Sequence, residues 1–312
     1  EGKMALTEGK GEFMGSERPV RHVPVLAEEV RAWLAPAAGQ VWVDATVGGG
    51  GHARLLAEAV GPQGHLIAVD QDPAMLAIAR ARLAGLPVTF LHARFDRLPQ
   101  LLAELGLERV DGLLADLGFA SDQVEDPQRG LSFRQHGPLD MRLDPTADLT
   151  AEEIVNSWSE QELARLLWEY GEERYSRRIA RRIVEQRQRQ PLRTTTELAE
   201  LVRRCVPRSG GIDPATRTFQ ALRIAVNDEL AVLERLLAAL PDLIRPGGRV
   251  GIISFHSLED RRVKQAFRQA EVWDVLTRKP IMPTDEEIRT NPRARSARLR
   301  AAQRRTSSPA PP

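Results

Sequence analysis

A short apolar strand that runs directly into four consecutive glycines constrains this chain of 312 residues more than any other feature. Residues 41–43 predict the strand, Asp44 closes it, and glycines 48–51 form a turn before a predicted helix at residues 52–59. Glycine lets a backbone approach a ligand without an intervening Cβ atom, and the start of a helix offers free N–H groups. The arrangement therefore predicts a nucleotide-like ligand beside the start of a helix.

Strands and helices continue to alternate after the glycine turn. Apolar runs at residues 66–69, 88–91 and 110–114 predict three further strands, and Asp72 with Pro73 begins a helix as N-cap and first helical residue. This alternation predicts an α/β fold whose mainly parallel sheet is covered by helices on both faces.

The pattern changes after Leu117, where a long loop and then a run of helices interrupt the sheet. Residues 118–144 predict a loop that is long enough to be functional. Residues 150–204 predict helices, one of them opened by Ser159 to Glu162 and another by Thr196 with Glu200. The sheet is predicted to resume with a long helix at residues 219–240, a strand at residues 250–254, and a closing hairpin of residues 272–277 with 297–301.

Arginine is unevenly distributed, although the formal net charge is only +1. It is concentrated at residues 174–193 and 291–312, and arginine pairs bidentately with phosphate. Nucleic-acid binding and ordinary solvated helix faces explain these two patches about equally well.

Composition also excludes several classes of protein. The only cysteine, Cys205, allows no intrachain disulfide, and the six histidines are scattered along the sequence, so we expect no metal site. No apolar run reaches the ~18 residues that a membrane-spanning helix needs. These features predict a cytoplasmic protein that does not associate with membranes.

Acidic residues beside the glycine turn narrow the choice of ligand. Asp70 closes the second predicted strand, 22 residues after Gly48, where a carboxylate can accept hydrogen bonds from ribose hydroxyls. Asp44 precedes the glycines, where its charge would repel a pyrophosphate but hold the ammonium group of an amino-acid cofactor. The turn also lacks the G-x-G-x-x-G pattern. These features favour S-adenosylmethionine over NAD, and a structural turn without a ligand is the third alternative.

Asp116 closes the fourth predicted strand, at the edge where open α/β sheets bind ligands. Methyl transfer to an aromatic amine requires acceptors for its N–H groups, which draw the nitrogen towards tetrahedral geometry. The Asp116 carboxylate is a candidate acceptor. A cofactor contact, which we rank first, and a loop cap are its other candidate roles.

Ten separate stretches, in one order between His22 and about Arg305, resemble the MraW family, also called RsmH. They are HVPVL at His22, GGGGH at Gly48, DLGFAS at Asp116, RGLSF at Arg129, GPLDMR at Gly137, YGEE at Tyr170, PATRTFQALRI at Pro214, PGGR at Pro246, SFHSLEDR at Ser254 and NPRARSARLRA at Asn291.

The resemblance implies an S-adenosylmethionine-dependent methyltransferase acting on the exocyclic N(4) amine of a specific cytosine in small-subunit (16S) ribosomal RNA, near the decoding centre. It also implies a Rossmann-like class I fold with an inserted helical domain. We predict a disordered leader at residues 1–20, a methyltransferase domain at residues 21–125 and 213–312, and a substrate-recognition insertion at residues 126–212. The partner is small-subunit ribosomal RNA or the assembled subunit, and the oligomeric state stays open, with a homodimer as one candidate.

The resemblance assigns site residues by position. Asp116 is the catalytic candidate, and the cofactor contacts are Gly50, Gly51, His52, Asp70, Phe95, Asp116 and Gln123. The candidates for contact with a cytosine flipped out of its stack are Arg142, Arg217, Gln220 and His256. A buried ion pair is the structural alternative for the two arginines, and capping of the following helix is the alternative for His256.

Three residues depart from the family pattern. Ala120 stands where a serine is usual, His136 where aspartate is usual, and Asp213 where histidine is usual. We expect all three near the target pocket, where they would affect base recognition. Two other functions stay open: a nicotinamide-dependent oxidoreductase that uses the same turn, and a non-catalytic RNA-binding assembly factor.

Overall fold

Seven strands form one sheet in the order β3-β2-β1-β4-β5-β7-β6. The computed structural model describes residues 24–207 and 211–306, so the predicted leader at residues 1–20 lies outside the described residues. The strands are β1 (Val41–Asp44), β2 (His65–Asp70), β3 (Val88–His92), β4 (Val110–Asp116), β5 (Ile244–Ser254), β6 (Trp273–Val275) and β7 (Arg298–Arg304).

Thirteen α-helices are present among the described residues, and most of them follow the predicted order. They are α1 (Ala27–Leu34), α2 (Gly51–Val60), α3 (Pro73–Arg82), α4 (Leu98–Glu104), α5 (Ser121–Glu125), α6 (Ala151–Ser157), α7 (Glu160–Gly171), α8 (Ser176–Arg189), α9 (Thr195–Cys205), α10 (Ala215–Asn227), α11 (Glu229–Leu243), α12 (Ser257–Phe267) and α13 (Asp285–Thr290). None of the described helices is both long and apolar enough to cross a membrane.

The first five strands run parallel, and β7 pairs antiparallel with both β5 and β6. The predicted mainly parallel α/β sheet is therefore confirmed. Because β2, β1 and β4 are parallel neighbours, their carboxyl ends meet at one edge of the sheet. Asp44, Asp70 and Asp116 are the last residues of these three strands.

Side chains that alternate along the strands enter two separate cores. Val43, Ile67 and Leu113 pack with α4, α11 and α12 on one face of the sheet. The neighbouring strand residues Trp42 and Leu66 pack with α1, α2 and α3 on the other face. This period of two places an apolar layer on each side of the sheet, which is why the strands read as continuous apolar runs.

The helices between β4 and β5 have a third core of their own. It is formed by buried residues of α6, α7, α8 and α9, and it also includes Phe219, Leu222 and Val226 of α10. Ser159 and Glu162 open α7 as a capping pair, as the sequence predicted. The domain boundaries given above stay a prediction.

The predicted long helix at residues 219–240 is wrong, because two helices meet there. Asp228 separates α10 from α11 and adopts the left-handed conformation with φ 52°. The Asn227 side chain holds this break: its amide donates to the Met141 carbonyl (2.8 Å) and its oxygen accepts from the Leu143 N–H (2.8 Å).

Two smaller predictions are also corrected. Helix α9 is opened by Thr194 with Glu197, rather than by Thr196 with Glu200, because the Thr194 hydroxyl accepts the Glu197 N–H. Strands β6 and β7 pair antiparallel, but α13 lies between them and β7 also pairs with β5, so they do not form a simple hairpin.

Trp42 offers a direct test of this packing. Its side chain is 1% exposed and its ring lies over Gly112, where a Cβ atom would come within 2.3 Å of the ring. We expect Trp42→Ala to lower the free energy of unfolding by about 3–5 kcal/mol because it leaves a cavity against β4. Urea denaturation followed by far-ultraviolet circular dichroism measures this change.

Trp168 provides the matched control, because its side chain is 61% exposed. We expect Trp168→Ala to change the free energy of unfolding by less than about 0.5 kcal/mol. Equal losses for the two variants would contradict the burial of Trp42.

Candidate active site

Three aspartates converge where β1, β2 and β4 end. Asp44 is 1% exposed, whereas Asp70 and Asp116 are partly buried. The Thr46 side chain connects two of these strand ends, because its hydroxyl accepts the Asp116 N–H at 2.7 Å. The site therefore holds three carboxylates in surroundings from which water is largely excluded.

Asp70 fixes the glycine turn to the sheet. Its Oδ2 accepts the Gly48 N–H (2.8 Å) and its Oδ1 accepts the Asp72 N–H (2.9 Å). Gly48 and Gly50 both have positive φ angles, of 48° and 86°, which side chains with a Cβ atom rarely adopt. The remaining lone pairs of Asp70 stay available for ribose hydroxyls.

The glycines of the turn face different neighbours. Gly50 packs against Ala79 of α3 and against Leu83, the residue that follows this helix. It is not part of the wall of the cavity that Gly51 lines beside Pro24. A Cβ atom at Gly51 would lie 3.2 Å from Pro24. Gly50 thus serves the packing of the turn, and Gly51 lies at its ligand-facing side.

Asp44 is the least satisfied of the three acids. Its Oδ1 accepts the Thr46 N–H (3.1 Å), and its buried Oδ2 has no hydrogen-bond partner among the described residues. Burial, together with the nearby Asp116 and Asp70 charges, raises the pKa of Asp44 to about 7, although the Thr46 N–H opposes the rise. An ammonium or sulfonium group would give this oxygen the partner that it lacks.

Burial also raises the pKa of the other two aspartates. The pKa of Asp70 rises to about 6, although the N–H groups of Asp72 and Gly48 oppose the rise. The pKa of Asp116 is raised by burial, and the adjacent His52 acts in the opposite direction. The ionised form of all three strand-end carboxyl groups is thus disfavoured in the ligand-free protein. A positively charged ligand would stabilise it.

His52 is the one histidine placed beside this cluster of aspartates in the described structure. Its Nε2 lies 2.8 Å from the Val25 carbonyl, and its Nδ1 lies 3.5 Å from Asp116 Oδ2. A carbonyl only accepts hydrogen bonds, so Nε2 carries a hydrogen and Nδ1 faces the carboxylate. His52 therefore places Nδ1 beside the Asp116 carboxylate from the first turn of α2.

Two adjoining cavities lie at this edge, and Asp116 lines both. The smaller cavity, of about 90 Å³, contains Asp70, Phe95 and Gln123 in its wall. The larger cavity, of about 510 Å³, includes Gly51, His52 and Phe255. The residues common to both walls are Thr46, Gly48, Asp116, Gly118, Phe119 and Ala120.

The predicted cofactor residues are therefore brought together, with Gly50 as the exception. Phe95 and Asp70 line the smaller cavity, where they would suit an adenine and ribose hydroxyls. Asp44 lines neither cavity, but its buried carboxylate oxygen lacks a partner among the described residues and would suit an ammonium group. These residues fit S-adenosylmethionine. These carboxylates do not fit the pyrophosphate of NAD, because the negative charges of its phosphates would face three aspartates.

Sequence reasoning missed two residues that hold this wall. Asp72, which is fully buried, accepts hydrogen bonds from Gln123 Nε2 (2.9 Å) and from the Arg129 guanidinium. Gln123 Oε1 also accepts the Ala120 N–H (3.0 Å). Asp72 could be identified from the sequence only as a helix N-cap, which it also is. Arg129 lies in the RGLSF stretch, which gave no role to a single residue.

The four predicted RNA contacts lie outside the walls of these two cavities. Arg142 forms a bidentate pair with Asp140 (2.9 and 2.7 Å), within the predicted insertion. Arg217 donates to the Glu172 carbonyl (3.0 Å), and Gln220 donates to the Tyr170 carbonyl (3.0 Å). His256 is the N-cap residue of α12, without a capping hydrogen bond from its side chain.

The departures from the family pattern occupy different places. Ala120 lines both cavities, as expected. His136 instead contacts the Thr196 hydroxyl (2.9 Å), and Asp213 pairs with Arg203 (2.8 Å) in the helical region. Neither His136 nor Asp213 lines either cavity, so their expected position near the target pocket stays a prediction.

Histidines that are scattered in sequence are not all isolated in space. His256 lies beside Glu259 and Glu229, and one ligand atom of each residue falls within 4.8 Å of the others. Glu229 and Glu259 line the smaller cavity together with Asp116. Sequence reasoning missed this group, because Glu229 belongs to a different helix.

The parallel sheet with its reversed β7, the glycine turn and the strand-end acids together define a Rossmann-like class I methyltransferase that uses S-adenosylmethionine. The chain belongs to the MraW methylase family, whose model matches residues 19–305.

Relatives cover nearly the whole chain. Ribosomal RNA small subunit methyltransferase H of Sorangium cellulosum is 54% identical over 92% of this chain and 92% of its own length. The protein of the same name from Synechococcus elongatus is 51% identical, over 91% and 94%. Among solved structures, an S-adenosylmethionine-dependent O-methyltransferase from Thermotoga maritima is 12% identical with a TM-score of 0.42, over 91% of this chain and 66% of that one.

Because the Asp44 carboxylate lacks a partner, we predict that removing its charge stabilises the ligand-free protein but weakens ligand binding. A pKa raised to about 7 in the folded protein means that ionised Asp44 destabilises it above that pH, by up to roughly 4 kcal/mol. The cost is relieved as the pH falls through 7. We expect Asp44→Asn to raise the free energy of unfolding of the ligand-free protein more at pH 8 than at pH 5, and to weaken binding of S-adenosylhomocysteine.

Asp111→Asn is the matched control. Asp111 lies at the start of β4 and pairs with Arg245 (3.0 Å), so removal of its charge should give no gain in stability at pH 8. Urea denaturation at the two pH values and calorimetric titration supply the measurements. An Asp44→Asn variant that is no more stabilised at pH 8 than at pH 5 would rule out the charged, unpaired carboxylate.

Proposed function

We propose that this methyltransferase modifies the exocyclic N(4) amine of a cytosine in small-subunit (16S) ribosomal RNA, near the decoding centre. The family membership and the names of the relatives support the RNA substrate. The observation that carries the proposal is the position of Asp116 on the walls of two adjoining cavities. The smaller contains Asp70, Phe95 and Gln123, and the larger, which also contains Gly51 and His52, is open to a base.

The larger cavity is the proposed entrance for the target base. Phe119 and Phe255 line it, and the Phe255 ring packs so closely over Gly118 that a Cβ atom there would lie 2.6 Å from the ring. A cytosine inside a duplex cannot reach such a recess, so the base must be flipped or single-stranded. Aromatic rings suit a flipped base because they replace the stacking that it loses.

Asp116 then acts on the amine itself. The nitrogen lone pair of cytosine N(4) is delocalised into the ring, which makes the amine a weak nucleophile. The Asp116 carboxylate accepts one N–H hydrogen bond, draws the nitrogen towards tetrahedral geometry, and accepts the proton that the amine loses when its new C–N bond forms. The cofactor, when bound, supplies the electrophilic methyl group.

His52 and Gly118 hold that carboxylate in place. The Gly118 N–H donates to Asp116 Oδ1 (2.9 Å), and His52 faces Oδ2. One oxygen is thus fixed by the backbone and the other faces the imidazole. Because burial raises the pKa of Asp116, this carboxylate is a better proton acceptor than an exposed one.

The insertion at residues 126–212 is the proposed substrate-recognition domain. Arg142, Arg217 and Gln220 are proposed to contact nucleotides that flank the target, since none of them lines either cavity. His256 is only 9% exposed and is not proposed as an RNA contact. A cytoplasmic location and the assembled small subunit as partner complete the proposal.

Asp116→Asn tests the proposal, since it keeps the size of the side chain but removes its charge. We expect the rate of methyl transfer to fall by about 10²–10³-fold, the usual cost of losing one group that stabilises a transition state. The measurement is transfer of a labelled methyl group from the cofactor to small subunits that lack the modification, with the modified nucleotide mapped by mass spectrometry.

Asp274→Asn is the control, because Asp274 forms an exposed pair with Arg305 (2.9 Å) away from the cavities. Its rate should equal that of the unsubstituted protein. Label at a position other than cytosine N(4), or an Asp116→Asn variant with full activity, would refute the proposal.

A further inference from the structure

We propose that Glu229, His256 and Glu259 form a binding site for a divalent transition-metal ion of the zinc and manganese class. One ligand atom from each side chain lies within 4.8 Å of the other two. The proposal concerns binding alone and assigns the ion no step in methyl transfer.

Local structure brings the three side chains together. His256 is the N-cap residue of α12 and Glu259 lies in its first turn, so the spacing of three residues places both on one helix face. Glu229 is the first residue of α11, directly after the left-handed Asp228. The break between α10 and α11 therefore points this acid towards the start of α12.

The histidine itself indicates that a ligand is missing. Its side chain is 9% exposed, and neither ring nitrogen has a hydrogen-bond partner in the described parts of the chain. Buried polar atoms without partners are rare because each costs the free energy of its lost hydration. An imidazole that is buried in this way among carboxylates suits coordination through a neutral ring nitrogen.

The distance between His256 and Glu259 fits a shared ion. His256 Nε2 lies 3.1 Å from Glu259 Oε1, although the pair lacks the geometry of a hydrogen bond. Two ligand atoms that are each about 2.1 Å from one ion are about 3.0–3.4 Å apart at octahedral or tetrahedral angles. The observed separation therefore matches two positions of one coordination sphere.

The hydrogen bonds that Glu259 and Glu229 accept still leave each of them an oxygen lone pair that can bind an ion. Glu259 Oε2 accepts the Phe255 and His256 N–H groups (2.8 and 3.3 Å), so Oε1 alone faces the histidine. Both oxygens of Glu229 accept hydrogen bonds from Arg223 (2.8 and 2.9 Å), and each keeps a second lone pair. Arg223 cancels one of the two glutamate charges, and Asp116 adds another negative charge nearby.

The donor set selects the class of ion. One imidazole nitrogen with two carboxylates suits zinc or manganese, whereas magnesium prefers oxygen ligands and retained water. Three protein ligands leave at least one coordination position open. Glu229 and Glu259 line the smaller cavity, so the open position faces that cavity.

Binding of Zn²⁺ and of Mn²⁺ to the tag-free, full-length protein tests the site. We expect one ion per chain by equilibrium dialysis with elemental analysis. His256→Ala and Glu259→Gln should each weaken metal binding by more than about 100-fold. Loss of a group outside the coordination sphere costs up to about 100-fold in metal affinity, and loss of a ligand should cost more. His92→Ala, whose ring contacts the Gln71 carbonyl instead, should bind as the unsubstituted protein does.

A second measurement needs no variant and so does not depend on how a variant folds. Electron spin-echo spectroscopy of the Mn²⁺-loaded, unsubstituted protein should show modulation from an imidazole ¹⁴N. Absence of this modulation, absence of saturable binding of either ion, or full binding by folded His256→Ala would overturn the proposal. Methyl transfer is assayed separately, so this outcome is distinguishable from failure of the proposed function.

Discussion

Three like charges at neighbouring strand ends are the constraint on which the rest of this site depends. Asp44, Asp70 and Asp116 end β1, β2 and β4, where parallel pairing forces them close together. Burial raises the pKa of each, and Asp44 has an oxygen without a partner in the described structure. A cationic ligand relieves this repulsion, which gives the choice of S-adenosylmethionine over NAD a physical cause.

The surrounding structure is arranged to maintain those charges. Backbone N–H groups of the glycine turn and of the start of α3 stabilise ionised Asp70, while Gly118 and His52 do the same for Asp116. The turn therefore has two roles: its N–H groups hold an acid, and its lack of side chains leaves room for the ligand. Asp72 extends the network by joining α3 to Arg129 and to Gln123, which lies on the wall of the smaller cavity.

The sequence predicted those parts of the molecule that local pattern determines. Apolar runs located the strands, and Asp72 with Pro73 located a helix start. The sequence also placed Asp44, Asp70 and Asp116 at the ends of their strands. Ser159 with Glu162 opens α7 through contacts within four residues, so its start was also predictable.

Features set by distant partners could not be predicted in this way. Asn227 breaks the long helix by binding Met141 and Leu143, which precede it by more than eighty residues. Three consecutive threonines at the start of α9, residues 194–196, are chemically equivalent as caps, and only the Glu197 side chain distinguishes Thr194. The roles of Glu229 and His256 depend likewise on how α11 and α12 pack, which no sequence spacing reveals.

The central claim is that the site holds excess negative charge until a cation binds. Calorimetric titration with S-adenosylmethionine at pH 7, in two buffers of different ionisation enthalpy, tests it most directly. The pKa of Asp44 is about 7 in the ligand-free protein, so about half of this residue is protonated at pH 7. Binding should therefore release about half a proton from Asp44 into the buffer. A binding enthalpy that is the same in both buffers, or net uptake of protons, would contradict the account.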